Sequence, residues 1–211
     1  MSSVKRGRFI SLEGGEGVGK STQSRALAAA LRARGLEVVE TREPGGSAGA
    51  EAIRSLLLEG GADRWGPRAE ALLFAAARAD HVDKTILPAL EAGKWVICDR
   101  FLDSSIAYQG GADGLGADAI RALHEVGSAG LLPDRTLLLE MDMSQAAVRE
   151  LTRDGGELDR FGQRSGAYHD RVVKAFHDLA QSNAGRFRIV NAEGSPEQVT
   201  GRLTKAIEDL L

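Results

Sequence analysis

The chain has 211 residues, of which 43% are hydrophobic and 27% are charged, a composition typical of a soluble globular protein. Its formal net charge of −3 argues against a protein that coats nucleic acid, and its single cysteine, Cys98, excludes an intramolecular disulfide or a cysteine-rich metal site. Since no stretch approaches the roughly 18 apolar residues of a membrane span and the polar start lacks a signal-peptide pattern, we expect a cytoplasmic enzyme or switch protein without a nucleic-acid or membrane partner.

Strands and helices are predicted to alternate along the chain, beginning with a strand at Phe9–Glu13 and a helix at Lys20–Arg34. Four more strands are predicted from short apolar runs, at Leu36–Glu40, Trp95–Asp99, Arg135–Met141 and Phe187–Val190. Further helices are predicted at Ala50–Leu58, Pro67–Ala92 with a kink near Pro88, Ala117–Ala129, Ser144–Arg153, a segment ending near Gln181, and Pro196–Leu211. Strands separated by helices imply an α/β fold with a mostly parallel sheet covered on both faces. No linker or repeat interrupts this pattern, so we expect one domain over residues 1–211.

The first strand runs into a glycine-rich stretch, GGEGVGKST, that contains the pattern Gly-x-x-x-x-Gly-Lys-Ser. With a strand before it and a helix after it, this pattern is typical of a phosphate-binding P-loop. Backbone N–H groups would surround the phosphates at the helix N-terminus, while Lys20 would reach the β- and γ-phosphate oxygens and Ser21 would bind Mg²⁺. The predicted nucleotide contacts are Gly14, Gly15, Glu16, Gly17, Val18, Gly19, Lys20, Ser21 and Thr22. The alternative is a glycine-rich turn capped by Ser21.

The distribution of basic residues favours phosphoryl transfer between two substrates. A regulatory GTPase with this loop would carry an Asn-Lys-x-Asp segment late in the chain, and none is present. The chain is instead rich in arginine outside the loop, as a reaction between two mutually repelling phosphate groups requires. The glycine-rich, charged segment 153–164 resembles a mobile lid, with Arg153 and Arg160 as candidate clamps on the phosphates. A solvated loop without a role is the alternative for this segment.

Two further pairs of residues have a spacing that suits a binding site. Asp99 and Arg100 end a buried strand, where Asp99 could hold a water bound to magnesium and Arg100 could bind a phosphate. A salt bridge at the strand end is the alternative. Phe74 and Arg78 lie four residues apart on one face of a helix, so the ring could stack on a base while the guanidinium reaches its edge. Core packing plus a surface charge would give the same spacing.

The order of these segments resembles the bacterial thymidylate kinase family over nearly the whole chain, through FISLEGGEGVGKST, TREPGG, SLLL, LLFAAARADHV, WVICDRFLDSSIAYQGG, LPDRTLLLEMD and GELDR. The resemblance implies a P-loop NTP hydrolase fold of the nucleoside monophosphate kinase type, with a five-stranded parallel sheet flanked by helices and a short lid. It also implies a homodimer that phosphorylates dTMP to dTDP with ATP and Mg²⁺, a step of dTTP biosynthesis. Another nucleoside or nucleotide kinase is the nearest alternative, followed by a regulatory P-loop ATPase.

The resemblance also assigns roles to individual residues on the dTMP side. Arg100 and Glu16 match positions near the phosphate and the sugar, Phe74 matches the ring stacked on thymine, and Arg78 matches the donor to a thymine carbonyl. Tyr108 matches the ring under the deoxyribose, where it would leave no room for a 2′-hydroxyl. The stretch that borders the base contains Ser105 and Gln109. On the ATP side, Lys20 and Ser21 match the positions that contact the phosphates and the metal, to which our interpretation adds Asp99.

The family carries its catalytic arginine either in the P-loop or in the lid. Between Gly14 and Gly19 this chain has no basic residue, so it resembles the lid-arginine type. Arg153 is therefore the expected catalytic arginine, acting with Lys20 and Arg100. How Arg153 and Arg160 divide the work stays open, because this lid is poorer in arginine than is common for the type.

Overall fold

The computed structural model describes residues 6–61, 63–142 and 160–211 of the chain. Its centre is one sheet of five strands: β1 (Phe9–Glu13), β2 (Val38–Arg42), β3 (Trp95–Asp99), β4 (Arg135–Glu140) and β5 (Phe187–Asn191). All neighbouring strands are parallel, in the order β2-β3-β1-β4-β5. The prediction of a parallel sheet, with the five strands that the resemblance implied, is confirmed.

The register of the sheet brings the carboxyl ends of three strands together. Leu12 of β1 pairs with Asp99 of β3 and with Leu137 of β4, and Arg42 at the end of β2 also pairs with Asp99. The loop that begins at Gly14 therefore leaves the sheet beside the end of β3. This edge of the sheet is where open α/β sheets place their ligands.

The described helices cover both faces of the sheet: α1 (Lys20–Arg32), α2 (Ala48–Leu58), α3 (Pro67–His81), α4 (Leu87–Glu91), α5 (Leu102–Ser105), α6 (Ala117–Ser128), α7 (Gly166–Ser182) and α8 (Pro196–Ala206). Strand β1 is buried along its whole length. Alternate residues of this strand serve two cores, since Phe9 packs in one hydrophobic cluster while Ile10 and Leu12 pack in the other. This burial on both faces explains why β1 carries apolar residues on both of its faces, with Ser11 and Glu13 as its two polar residues.

The helices α3 and α4 form the long element that the sequence predicts over Pro67–Ala92. A π-helical segment, Val82–Ile86, joins them, and the N–H of Leu87 bonds to the carbonyl of Val82 five residues earlier. Proline has no N–H and its ring crowds the preceding turn, so Pro88 favours such a local change in winding. The irregularity expected near Pro88 thus takes the form of a wider turn just before the proline.

Several predicted element bounds differ from the structure, and one predicted helix cannot be compared with it. Strand β2 begins and ends two residues later than predicted, because its pairing with β3 sets its bounds. The sequence indicated no helix at Leu102–Ala112, where α5 continues into a π-helical segment, Ile106–Ala112. The predicted helix Ser144–Arg153 lies outside the described residues, as does most of the predicted lid.

The start of α8 provides a test of local stability. Ser195 and Gln198 form a capping box, in which the Ser195 hydroxyl accepts from the Gln198 N–H and the Gln198 side chain accepts from the Ser195 N–H. We expect Ser195→Ala to lower the free energy of unfolding by about 1 kcal/mol, measured by urea denaturation. Ser182→Ala is the control, because this exposed hydroxyl donates only to the carbonyl of Asp178 and its loss should change stability by under about 0.5 kcal/mol. Equal losses in the two variants would contradict the capping role.

Candidate active site

A cavity of about 710 Å³ opens at the carboxyl edge of the sheet. Its walls come from the loop after β1, the ends of β2 and β3, and the helices around them. Three acidic side chains line it, Glu16, Glu43 and Asp99, against six basic ones: Lys20, Arg25, Arg42, Arg54, Arg78 and Arg100. This excess of positive charge suits a ligand that carries several negative charges.

The glycine-rich loop has the backbone conformation that its sequence predicts. Gly14, Gly17 and Gly19 have φ values of 138°, 72° and 92°, a region that favours glycine. A Cβ on Gly14 would also lie 2.5 Å from the carbonyl oxygen of Leu139, so any side chain there would collide with β4. The loop curls over Lys20, whose Nζ donates to the carbonyl oxygens of Gly14 at 3.2 Å and Gly15 at 2.5 Å.

The charge on Lys20 depends on its surroundings. Burial, followed by repulsion from Arg100, lowers the pKa of Lys20 to about 8, although Glu16 and Asp99 act in the opposite direction. A bound phosphate would favour the ammonium form and raise this pKa again. A polyphosphate ligand would therefore keep the Lys20 side chain in its charged ammonium form.

Ser21 and Asp99 form a pair of oxygen groups beside the loop. The Ser21 hydroxyl in the first turn of α1 donates to Asp99 Oδ2 at the end of β3, over 2.5 Å. Mg²⁺ prefers oxygen ligands and usually keeps several waters, with one or two protein groups and substrate phosphates completing its shell. The two residues fit this pattern, and within the described residues no cluster of three or more acidic, histidine or cysteine side chains offers a cage of its own.

Glu16 is the acid in the middle of the loop, and it faces Arg100 and Tyr108. Arg100 Nη2 donates to Glu16 Oε1 over 2.7 Å, and the Tyr108 hydroxyl donates to the same oxygen over 2.9 Å. Arg100 Nη1 also donates to the carbonyl of Gly14 over 3.0 Å. The Arg100 guanidinium lies 5.2 Å from the centre of the Tyr108 ring, within the range of a cation–π contact. The three side chains therefore form one unit that joins the P-loop to the end of β3 and to the π-helical segment Ile106–Ala112.

The ionisation of Glu16 follows from these contacts. Burial alone would raise its pKa, but the charges of Arg100 and Lys20 and the hydrogen bond from Tyr108 outweigh burial and lower the pKa to about 2. Glu16 is therefore a carboxylate at neutral pH. Burial has the larger influence on Glu13 below the loop, where it raises the pKa to about 8, helped by the nearby Asp103.

Glu13 holds the segment that carries Arg100. Its carboxyl group accepts from the N–H of Phe101 over 2.8 Å and from the hydroxyl of Ser104 over 2.6 Å. Ser104 in turn accepts from Arg100 Nη1 over 3.0 Å. This support matters because Arg100 adopts a φ of 69°, which is uncommon for a residue with a side chain. Sequence reasoning did not assign Glu13 to the site.

Arg78 and Phe74 of α3 also line the cavity. Arg78 is 3% exposed, donates through Nε to Glu43 over 2.8 Å and donates through Nη2 to Ser105 over 2.7 Å. The alternative interpretation, in which Arg78 is a charge on the protein surface, does not fit this burial. Phe74 lines the cavity and packs edge to face on Phe161, with 5.8 Å between the ring centres.

Gln109 and Arg160 meet at Glu70 of α3. Gln109 lines the cavity and donates to Glu70 Oε1 over 2.9 Å, while Arg160 donates to Glu70 Oε2 over 2.8 Å. Arg160 is 1% exposed and does not line the cavity. It lies in the protein interior, where a buried carboxylate requires a cationic partner, and the expected contact with the ATP phosphates stays a prediction. Arg153 lies outside the described residues.

Comparison with known proteins identifies the family. The model of the family described as "Thymidylate kinase" matches residues 12–203. A thymidylate kinase of Rhizorhabdus wittichii is 69% identical over 205 residues, 97% of this chain and 99% of its own length. A thymidylate kinase of Gluconobacter oxydans is 49% identical over 98% of this chain and 96% of its length. The crystal structure of thymidylate kinase from Ehrlichia chaffeensis, 31% identical, covers 96% of this chain and 99% of its own with a TM-score of 0.77.

The chain belongs to the thymidylate kinase family. Its fold is that of the P-loop nucleoside monophosphate kinases, and the predictions of family, fold and enzyme class are confirmed. In the described part of the chain, no helix has the length and apolarity needed to cross a membrane. The roles of individual residues in this thymidylate kinase family member stay predictions, supported by the geometry above.

Three arginines of the cavity were not found by sequence reasoning. Arg25, Arg42 and Arg54 lie on α1, β2 and α2, and all three line the cavity. Arg54 donates to the carbonyl of Pro44 over 2.6 Å, which turns it toward the loop after β2. Arg42 lies in the TREPGG segment but was given no role, and no motif marks Arg25 or Arg54. The packing of α1 and α2 around the sheet brings the three arginines to one edge.

The low pKa of Glu16 generates a test. Folding lowers this pKa from an ordinary value of 4.5 to about 2, so the ionised carboxylate stabilises the fold above about pH 4.5, and this contribution is lost as the pH falls toward 2. We expect Glu16→Gln to reduce the free energy of unfolding relative to the parent at pH 7, and the difference to shrink between pH 4.5 and 2. Urea denaturation across this range measures the effect.

The control for this test is Glu91→Gln, which alters an exposed glutamate that does not line the cavity. It should change the free energy of unfolding by under about 0.5 kcal/mol. A Glu16→Gln difference that stayed constant from pH 7 to pH 2 would contradict the ion pair with Arg100.

Proposed function

We propose that the chain transfers the γ-phosphoryl group of ATP to dTMP and releases dTDP and ADP, with Mg²⁺ as the metal, in dTTP biosynthesis. Family membership supports the reaction. The observation that carries the proposal is the Glu16–Arg100–Tyr108 unit, which links the phosphate-binding loop to the acceptor side of a single cavity. One cavity thus offers both a polyphosphate site and a neighbouring site for a monophosphate.

On the donor side, the loop after β1 would bind the ATP phosphates through its backbone N–H groups and Lys20. Ser21 and Asp99 would hold Mg²⁺, whose charge offsets that of the phosphates when it is bound. The lysine is already surrounded by loop carbonyls, so a phosphate that enters would replace these bonds with charge-assisted ones.

On the acceptor side, the Phe74 ring would stack on thymine, and Arg78 would donate to a thymine carbonyl, with Ser105 and Gln109 bordering the base. The existing bonds of Arg78 to Glu43 and Ser105 fix its guanidinium in the cavity wall. A guanidinium held in this way needs little ordering when a ligand binds, which favours affinity.

The sugar and phosphate of dTMP would lie between Tyr108 and Arg100. Glu16 is a carboxylate with a pKa of about 2, so it can accept a hydrogen bond from a 3′-hydroxyl but cannot donate one. The Tyr108 ring would occupy the space of a 2′-hydroxyl. Arg100 contacts Glu16 through only part of its guanidinium group, so its remaining N–H donors would bind the dTMP phosphate.

No general base is required, because the attacking oxygen of the dTMP phosphate is already ionised at neutral pH. Catalysis then consists of aligning the two phosphate groups and offsetting their charge. Lys20, Arg100 and Arg153 would supply the protein's share of positive charge. Homodimerisation, a cytoplasmic location and a single domain with a lid at about 153–164 stay predictions from the sequence and the resemblance.

A coupled assay of ADP release tests the acceptor. ATP and Mg²⁺ are supplied with dTMP, with thymidine, with other nucleoside monophosphates, or without any acceptor. We expect ADP release that depends on dTMP. Release with thymidine but not dTMP would identify a nucleoside kinase, and equal release without an acceptor would identify an ATPase.

Arg153 provides a second test of this proposal. Because a lid arginine acts on the charge that develops in the transition state, we expect Arg153→Ala to lower kcat by about 10³-fold while the affinity for ATP changes little. Steady-state kinetics and direct ATP binding measure the two quantities. Arg32→Ala is the control, since this exposed arginine at the end of α1 donates only to the carbonyl of Val38. An unchanged kcat in Arg153→Ala would overturn the assignment.

A further inference from the structure

Glu70 is a fully buried carboxylate that accepts hydrogen bonds from three side chains. Its exposure is 0%, and it lies in the first turn of α3. Gln109 donates over 2.9 Å, Arg160 over 2.8 Å and Arg164 over 3.0 Å. A buried carboxylate is tolerated only where cations and hydrogen bonds replace its hydration, so these three donors are held to Glu70 by the cost of leaving it unpaired.

Arg160 connects this carboxylate to a second helix. Its Nη2 donates to Glu70, and its Nη1 donates over 2.7 Å to the carbonyl of Leu57 in the last turn of α2. Both side chains of the ion pair are 0% exposed. The rigid guanidinium fork therefore fixes α2, α3 and the backbone at residue 160 relative to one another.

The residue after Arg160 reaches the cavity. Phe161 lines it and packs edge to face on both Phe74 and Tyr108, with ring centres 5.8 Å and 6.1 Å apart. The guanidinium groups of Arg160 and Arg164 lie 5.6 Å and 5.3 Å from the Phe161 ring. The same two arginines that neutralise Glu70 thus also hold the ring that supports Phe74 and Tyr108.

Gln109 reaches the cavity by a second route. It belongs to the π-helical segment Ile106–Ala112 and lines the cavity, while its amide nitrogen is fixed on Glu70. Arg164 reinforces this arrangement, because it also bonds to Asp113 directly after that segment, over 2.5 Å. One carboxylate therefore sets the position of two parts of the cavity wall.

We propose that Glu70 and Arg160 are positioning residues for the wall that receives the base of the acceptor, and that Arg160 does not contact the donor phosphates. The proposal rests on the proposed function, since it names dTMP as the ligand of that wall. Its specific consequence is a kinetic one: disturbing the pair weakens dTMP binding and leaves ATP binding intact. A purely structural role would lower stability without this selectivity.

Arg135 supplies a matched control for this test. Like Arg160, it is a buried arginine whose Nη1 donates to a main-chain carbonyl, that of Ala206, over 2.9 Å, and whose Nη2 donates to a carboxylate, that of Asp209, over 2.7 Å. It does not line the cavity. Arg135→Met and Arg160→Met therefore each remove a buried guanidinium with two hydrogen bonds, and only Arg160 adjoins the acceptor wall. The carboxylate partners differ, since Asp209 is 61% exposed and Glu70 is 0% exposed, so Arg160→Met should lower the melting temperature more.

The experiment measures the melting temperature and the KM values for dTMP and ATP of the full-length parent and both variants, well below their melting temperatures. Both substitutions should lower the melting temperature. Arg160→Met should raise the KM for dTMP about tenfold, as expected for the loss of a charged hydrogen bond that positions the site, and should leave the KM for ATP within about twofold. Arg135→Met should leave both KM values unchanged.

Other results would overturn the inference. Unchanged KM values for both dTMP and ATP in Arg160→Met would show a purely structural role. A raised KM for ATP with an unchanged KM for dTMP would show instead that Arg160 contacts the donor phosphates. Equal KM changes in Arg135→Met would show a general effect of lost stability. A parent that does not phosphorylate dTMP would refute the proposed function itself, which is a separate outcome.

If Arg160→Met does not fold, Glu70→Gln provides a second test. This substitution preserves the shape of the side chain and an oxygen acceptor, but it removes the charge that holds both arginines. Calorimetric titration should show dTMP binding weakened about tenfold, with binding of ATP unchanged. Retained affinity for dTMP in Glu70→Gln would contradict the proposal.

Discussion

The ion pair between Glu16 and Arg100 is the contact on which the cavity depends. It joins the P-loop to the segment that leaves β3, across a distance of 84 residues in sequence, with an N–O distance of 2.7 Å. The pair forms because β1 and β3 are adjacent and parallel, so both segments leave the sheet at the same edge. Tyr108 donates to the same carboxylate oxygen, and this contact extends the link to the acceptor wall.

The same pair explains how an acid can occupy a loop that binds anions. Repulsion between Glu16 and a phosphate would be costly if the carboxylate pointed into the loop. Its contacts with Arg100 and Tyr108 direct it to the acceptor side instead, and they keep it ionised. In the proposed function the loop would present its backbone and Lys20 to one ligand and a carboxylate to the other. An acid in this loop is consistent with a site for two substrates.

Sequence reasoning succeeded where the relevant residues are consecutive, and it failed where they meet only through the fold. The bounds of β1 and β3 match because four apolar or small residues and an acid are followed at once by the glycine of the loop or by Arg100. The helix that carries Tyr108 was not predicted, since its serines and glycines favour turns, and packing against α7 stabilises it. The phosphate loop was found from eight residues in a row. The support that Glu13 gives to Arg100 depends on a hydrogen bond between residues 88 positions apart.

The exposure of the carboxylate partner distinguishes the arginines that sequence reasoning treated alike. Arg100 and Glu16 are 16% and 18% exposed and line the cavity, so a phosphate can share the guanidinium while Glu16 keeps contact with solvent or with a sugar. Arg160 and Glu70 are both 0% exposed. If Arg160 turned to a phosphate, a buried carboxylate would lose a cation, at a cost of several kcal/mol. An arginine in a glycine-rich charged segment therefore cannot be assigned to phosphate from its sequence alone, because the burial of its carboxylate partner decides whether it is available to a ligand.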